Sequence, residues 1–261
     1  MTRLSRPDLV PDASLTREEM ETLQREIAES AVFEDEFAFD PSLLADPLAA
    51  TASGTDPPVV AGVDQSFLLE DERAVSAVVA VRAGEVIERA HAVTPLEIPY
   101  IPGLLSFREG RPILEAVEAL EIDPDLYLFD GSGRIHFRQA GIATHMGVVL
   151  DAPAIGVAKS LLCGVPREET AGLEAGARVG IEANSRVDAP GGTLIGYAVQ
   201  TKQYESSNRH VNPLYVSPGH RVGPETAADA VLALSSGYKL PEPVRLADSY
   251  AEEAKREIGG R

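Results

Sequence analysis

Leu126-Tyr127-Leu128-Phe129-Asp130-Gly131-Ser132-Gly133-Arg134-Ile135-His136-Phe137-Arg138, running on through Gln139 to His145, is the stretch whose reading decides the fold. Four apolar residues end on a carboxylate, and Gly131 and Gly133 follow. A short unbroken apolar run of this kind reads as a strand buried on both faces. Its terminal Asp130 is poor packing, because an unpaired buried carboxylate costs several kcal/mol or gives up its charge. A divalent cation would compensate it, and so would an Arg or His⁺ partner. The stretch by itself leaves both open.

Working outward, Val59-Val60-Ala61-Gly62-Val63-Asp64 has the same shape and also ends on aspartate. Ala74 to Val81 and Val86 to Val93 are two further strands, joined as a hairpin around Ala83-Gly84-Glu85. Ile113, Leu114, Val117 and Leu120 form the apolar stripe of a helix opening at Ser106. Downstream, a helix is expected from about Ala140 to Leu150. The apolar strand Ala154 to Ala158 then ends at Lys159. Strands follow at Arg178 to Glu182 and Leu194 to Thr201, and Leu214 to Ser217 leads into a Pro218-Gly219 turn. Pro224 starts a helix to about Ser235. A meander followed by alternating helices and strands predicts a single α/β domain, a mixed sheet flanked by helices.

Residues 1–13 read as a loose tail. Thr16-Arg17-Glu18-Glu19 is a capping box, with Leu15 and Met20 placed as a hydrophobic staple for a helix from Thr16 to about Ala31. Phe33 to Pro58 is acidic and proline-bearing, which reads as a long surface loop or linker. The expected organisation is therefore residues 1–58 as tail, amphipathic helix and linker, 59–250 as the main domain, and 251–261 as an acidic C-terminal tail.

The 261-residue chain carries a net charge of −18 with lysine at only 159, 202, 239 and 255. An acidic, lysine-poor surface keeps a protein hydrated in concentrated salt, which predicts a halophilic source. The same charge argues globally against nucleic acid as a partner. Locally the balance reverses: between Gly131 and Arg167, Arg134, Arg138, Lys159 and Arg167 face the single acid Asp151. No apolar run approaches the roughly 20 residues of a membrane span. The first residues lack the apolar segment of a secretory signal. A lone cysteine, Cys163, excludes an internal disulfide and cysteine-based zinc sites. A cytoplasmic protein is the expectation.

If the strands ending at Asp64 and Asp130 are neighbours, two carboxylates meet at one sheet edge, and one must take a proton unless a cation lies between them. Mg²⁺ suits such a place, since it takes hard oxygen ligands and leaves positions for water and substrate phosphate. Glu109 either closes a second capping box with Ser106 or adds a third carboxylate. His136, His145 and His220 are three of five histidines. His145 lies within an apolar helix and reads as a hydrogen-bonded core residue. His220 could orient a metal-bound water or the leaving group. Lys159 could offset phosphate charge or pair with an acid. Pro99-Tyr100-Ile101-Pro102-Gly103 is a rigid apolar loop that either packs over the core or inserts between bases.

Together these segments resemble the endonuclease V family of inosine-directed repair nucleases. The matching pieces are Gly62-Val63-Asp64 with Phe67, Pro99 through Glu109, and Asp130-Gly131 with Gly133 and His136. Gly141-Ile142-Ala143 with His145, Ile155 through Lys159, Asn212-Pro213-Leu214, Gly219-His220-Arg221-Val222 and Leu240-Pro241-Glu242-Pro243 complete the set. The resemblance covers about residues 59–248, departs at Ser132 and Phe137, and leaves a longer loop at Gln203 to Val211. It implies an RNase H-like fold and a Mg²⁺-dependent nuclease, with Mn²⁺ as a substitute, that cuts DNA at the second phosphodiester bond 3′ to deoxyinosine. It implies Asp64, Glu109 and Asp130 as metal carboxylates, with Lys159 and His220 close to the chemistry. Tyr100 becomes the wedge, flanked by Pro99, Ile101 and Pro102. Gly103, Leu105 and Gly131 line the pocket of the extruded base, and His136 and Arg138 lie at the DNA. Some relatives act on inosine in RNA, and a non-catalytic binder of deaminated bases is the remaining alternative.

Overall fold

In the computed structural model, which describes residues 4–204 and 210–259, the meander comes first. β1 (Val59–Leu68), β2 (Arg73–Arg82) and β3 (Glu85–Pro95) pair antiparallel. Ala83 and Gly84 turn the second hairpin with φ of 50° and 82°. Two left-handed residues there match the twist of the flanking strands. β4 (Leu126–Asp130) then lies parallel to β1, and β5 (Ala154–Ala158) parallel to β4. β9 (Leu214–His220) returns antiparallel to β5, and β8 (Leu194–Val199), β7 (Arg178–Glu182) and β6 (Val165–Pro166) extend the sheet. The nine-stranded order is β3-β2-β1-β4-β5-β9-β8-β7-β6.

Helices cover both faces of the central strands, so these strands are apolar at successive positions. On one face Ala61, Val63, Tyr127 and Phe129 pack with α1 (Arg17–Ser30), α3 (Leu105–Glu118) and α4 (Ile142–Leu150). On the other, Val60, Leu126, Leu128, Ile155 and Val157 pack with α5 (Pro224–Ala233) and with Val244 of α6 (Glu242–Gly259). The alternation of residue numbers between the two clusters is the two-residue period of a strand. The start of α6 sits so tightly on β1 that a Cβ at Gly62 would lie 2.0 Å from the Pro243 carbonyl oxygen.

Several expectations need correction. The N-terminal tail is not loose: the Ser5 and Arg6 amides both donate to the Val149 carbonyl at 3.0 Å, and Leu9 joins the core. The acidic stretch after α1 is no free linker either. Phe37, Phe39 and Leu44 pack against the second cluster, and α2 (Pro47–Ser53) follows, capped by Asp46. The Thr16 capping box is present, but the one expected at Ser106 is absent. The helix begins two residues earlier than that box requires, with Leu104 in place of Ser106 at its cap, which frees the Glu109 side chain. β9 runs through Pro218 and Gly219 instead of turning there. Its pairing with β8 ends at Val216, so Pro218 needs no amide on that side. Finally, α6 continues unbroken past residue 250, with Ala251 and Ala254 buried. Part of the 203–211 loop lies outside the described residues.

Candidate active site

The β1–β4 register ends on the pair Val63↔Phe129, and the next residue on each strand is an aspartate, Asp64 and Asp130. Parallel pairing therefore brings the two carboxylates to one edge of the sheet. Asp64 is largely buried, and its pKa is pushed up to about 9. Desolvation is the main cause, followed by the Asp130 charge, and a hydrogen bond with Asp248 raises it further. The Gln65 amide, donating to Asp64 Oδ1 at 2.8 Å, works in the opposite direction. Glu109 enters from the first turns of α3, 8% exposed, with its pKa pushed up to about 7 by burial and by Asp130. Lys159, just past β5, donates to Asp130 Oδ2 at 2.5 Å.

These are hard oxygen donors, and the Asp130 charge raises the pKa of both Asp64 and Glu109, the condition a divalent cation relieves. Among the described residues no three of them already enclose a metal-sized position. The geometry explains this: the Lys159 ammonium has drawn Asp130 to itself, and Asp64 has turned to Asp248. The donor set fits a metal ion once those two contacts are exchanged.

A cavity of about 230 Å³ opens beside this edge, lined by Asp130, Gly131 and Lys159, by Tyr100 and Gly103 of the loop before α3, and by Leu105 at the start of α3. Tyr100 is 62% exposed at its mouth. A Cβ on Gly131 would lie 2.5 Å from Ile142 Cγ2, so only glycine lets the β4 turn approach α4 this closely. Gly103 has φ of 82°, which a side chain disfavours, and its carbonyl is doubly held. His136 Nε2 lies 3.0 Å from that oxygen and Gln24 Nε2 donates to it at 2.9 Å. The Arg138 amide donates to His136 Nδ1, so the Nε2–H tautomer faces the loop. Burial pushes the His136 pKa down to about 4, which keeps the ring neutral. Ile101 packs with Met20, Leu104 and Phe107, anchoring a loop whose Pro99 and Pro102 stay exposed.

Two expected site residues, His220 and Arg138, lie elsewhere or face inward, and so does Arg134 of the basic run. His220 sits where β9 pairs with Ala154, at the opposite end of β5 from Val157, the partner of Asp130. There it accepts from the Val32 amide at 3.1 Å and meets Asp151 at 3.3 Å. Its distance from the carboxylates follows from β9 running antiparallel to β5. Arg138 donates to Gln24 Oε1 at 2.7 Å behind the cavity wall. Arg134 lies over the Phe33 ring at 4.4 Å and donates to Gln139. Of the basic run beyond Asp130, Arg138 thus fixes α1, Arg134 holds Phe33 just after it, and Arg167 pairs with Glu182. His145 is the core residue expected, donating to the Leu9 carbonyl at 2.8 Å.

Two residues escaped the sequence reading. Asp248 shares the α6 stripe with Val244, Ala247 and Ala251, where a carboxylate in an apolar helical spacing is a visible signal. Gln24 likewise stands between Met20 and Ile27 on the buried face of α1, and is 1% exposed.

Carboxylates gathered at the ends of adjacent parallel strands, with a cavity on the same edge, define an RNase H-like α/β nuclease. The endonuclease V family model matches residues 44–249. The chain belongs to the endonuclease V family. It is 56% identical to endonuclease V of the haloarchaeon Haloarcula marismortui, with 97% of each chain covered, in keeping with the acidic composition. The crystal structure of endonuclease V from Streptomyces avermitilis superposes with a TM-score of 0.76 at 31% identity, covering 97% of both chains. Ciona intestinalis endonuclease V, solved with DNA containing an inosine followed by a ribo-adenosine, shares the fold at a TM-score of 0.73 and 24% identity, over 92% of this chain and 98% of that one.

Proposed function

We propose that the chain is a cytoplasmic Mg²⁺-dependent endonuclease that recognises deoxyinosine in DNA and hydrolyses the second phosphodiester bond 3′ to it, leaving a 3′-hydroxyl and a 5′-phosphate. The observation that carries this reading is the adjacency of Asp130 and Gly131: one residue stands at the carboxylate edge and the next forms the cavity wall. A base held in that cavity places a phosphate of its own strand close to the carboxylates. The inosine-bearing DNA of the Ciona relative supports the choice of base.

Asp64, Asp130 and Asp248, with Glu109 across from them, would hold the Mg²⁺ ion, which supplies Lewis-acid charge to the phosphate and acidifies water when bound. Tyr100, exposed on a loop pinned by His136 and Gln24, fills the space a flipped base leaves in the duplex. Gly103 and Gly131 leave room for that base. Lys159 is half-exposed on a flexible stem, and a bound cation would take Asp130 from it. Its ammonium is then free to swing to a phosphate oxygen, where it offsets the charge that builds in the transition state. Glu109, whose carboxyl is the less strongly perturbed, is placed to take a proton from the attacking water at a carboxylate oxygen.

Cleavage of an end-labelled duplex with one inosine, titrated with Mg²⁺ and run beside a matched adenosine duplex and an inosine RNA, tests this reading. Cutting of the inosine DNA alone, at the second bond, is expected. Equal cutting of the adenosine control, or cutting confined to RNA, would overturn it.

A further inference from the structure

Three of the four lysines of this acidic chain gather beside the catalytic edge. Lys159 contacts Asp130, and its charge helps press the Lys239 pKa downward, after burial. Lys239 is tied by its carbonyl to Thr201 Oγ1 at 2.5 Å, and the adjacent Lys202 carbonyl accepts from Gln200 Nε2 at 2.6 Å. The loop after β8 and the loop before α6 are therefore held together. Between them stands Tyr238, 53% exposed, with Lys202 Nζ at 5.8 Å and Arg245 Cζ at 4.6 Å from its ring centroid. Arg245 is already paired with Glu242 at 2.6 Å, so its charge is taken. Among the described residues neither Lys202 nor Lys239 makes an ion pair.

That is an unfavourable use of lysine for a free protein. With 41 acids in the chain, these two ammonium groups have no carboxylate partner among the described residues, and Lys239 lies within reach of the Lys159 charge. A polyanion removes the penalty, and an exposed aromatic between the cations gives a base or sugar an apolar surface. The lysines also continue a line. The base cavity lies on the α3–α4 side of the carboxylates, whereas Lys239 and Lys202 lie beyond Lys159 on the side of α5 and α6.

We propose that Lys239, Tyr238 and Lys202 form a track for the substrate strand after it has passed the catalytic carboxylates, the two ammonium groups facing consecutive phosphates and the tyrosine ring supporting a nucleotide between them. This rests on the function proposed above and deepens it: with the base cavity upstream of the cut, the track receives the strand on its 3′ side.

Binding is measured without divalent cation, over a series of potassium chloride concentrations, on two inosine duplexes. One ends just beyond the cut position and one extends a further helical turn in the 3′ direction. For the double variant Lys202→Ala/Lys239→Ala, the slope of log affinity against log salt on the long duplex should shrink by about 2, one unit per lost phosphate contact. The short duplex should be bound as by the wild type, and arginine at both positions should restore the slope. Lys255→Ala, at the far end of α6 beside Glu252, removes a lysine outside the track and should change neither. An unchanged slope on the long duplex, or an equal loss on both, overturns the track while leaving inosine preference intact. A wild-type chain that binds inosine and adenosine duplexes alike overturns the function reading, and the track with it.

Discussion

Asp64→Asn should make the metal-free protein more stable, although it removes a carboxylate that the proposed mechanism uses. In the folded chain the Asp64 carboxyl holds its proton up to about pH 9, against an ordinary value of 3.8. Between those limits the folded state binds a proton that the unfolded state has released, so stability falls as pH rises. Neutral pH lies about three units into that window, and each unit is worth about 1.4 kcal/mol, giving a penalty of about 4 kcal/mol at pH 7. Asn keeps the shape and the Gln65 hydrogen bond while having no charge to bury. For a chain of this size the gain corresponds to roughly 10 °C in melting temperature. Buried charges are screened only weakly, so the effect should persist in concentrated salt. Melting curves of both proteins in chelator, at pH values stepped through this window, test it. The difference should be small near the acid limit and grow steadily toward alkaline pH. Mg²⁺ should narrow it by stabilising only the wild type. A variant that melts at or below the wild type at neutral pH, or a difference that does not grow, would refute the buried-charge argument.

Gly62→Ala drives a methyl into the Pro243 carbonyl, so α6 must lift and carry Asp248 with it; a loss of about 1–3 kcal/mol in denaturant melts, with cleavage falling more steeply than lesion binding, is expected. Gln24→Ala removes a buried amide that donates to the Gly103 carbonyl and accepts from Arg138. It should cost about 1–3 kcal/mol and lower the inosine-to-adenosine binding ratio through the loosened Tyr100 loop, read by competitive binding. Because burial pushes both His136 and His145 down to about 4, each opposes folding once the unfolded histidines protonate. Acidification from about pH 6.5 toward pH 4 should therefore destabilise the Asp64→Asn protein more steeply than the wild type, whose carboxyls gain in that range. His220→Asn, at the far end of β9, should leave single-turnover cleavage unchanged while lowering the melting temperature.

What the sequence revealed was local. A carboxylate at the end of an apolar run marks Asp64 and Asp130 without knowledge of the rest, and parallel pairing of the two runs does the remainder. The Thr16 box and the Ala83-Gly84 turn are likewise settled by neighbours a few residues apart. Glu109 was ambiguous because Ser106 offered the capping spacing, whereas the folded helix starts from Leu104, which packs with Met20 and Leu23 of α1, residues far off in sequence. Asp248 and His220 depend on contacts between distant segments. Asp248 was hidden among the acids at the end of the segment read as the main domain, and His220 was drawn toward the site by a proline and glycine taken as a turn. In the folded chain those residues extend the strand away from it.

The contacts of residues 5–36 set an order on how the chain can be completed during synthesis. Leaving the ribosome ahead of its partners, this segment finds them only much later: Val149 for Ser5, His220 for Val32, Gly223 and Thr226 for Asp35. Until about residue 154 has emerged, α1 has no finished surface to close over, and Met20, Leu23 and Ile27 stay exposed; Val32 and Asp35 wait longer still, for residues 220–226. Such sequence-distant docking is slow and leaves apolar surface open to aggregation. The net charge of −18 thus serves the nascent chain as well as the folded one, keeping an unfinished nuclease apart from its copies until its first helix can be seated.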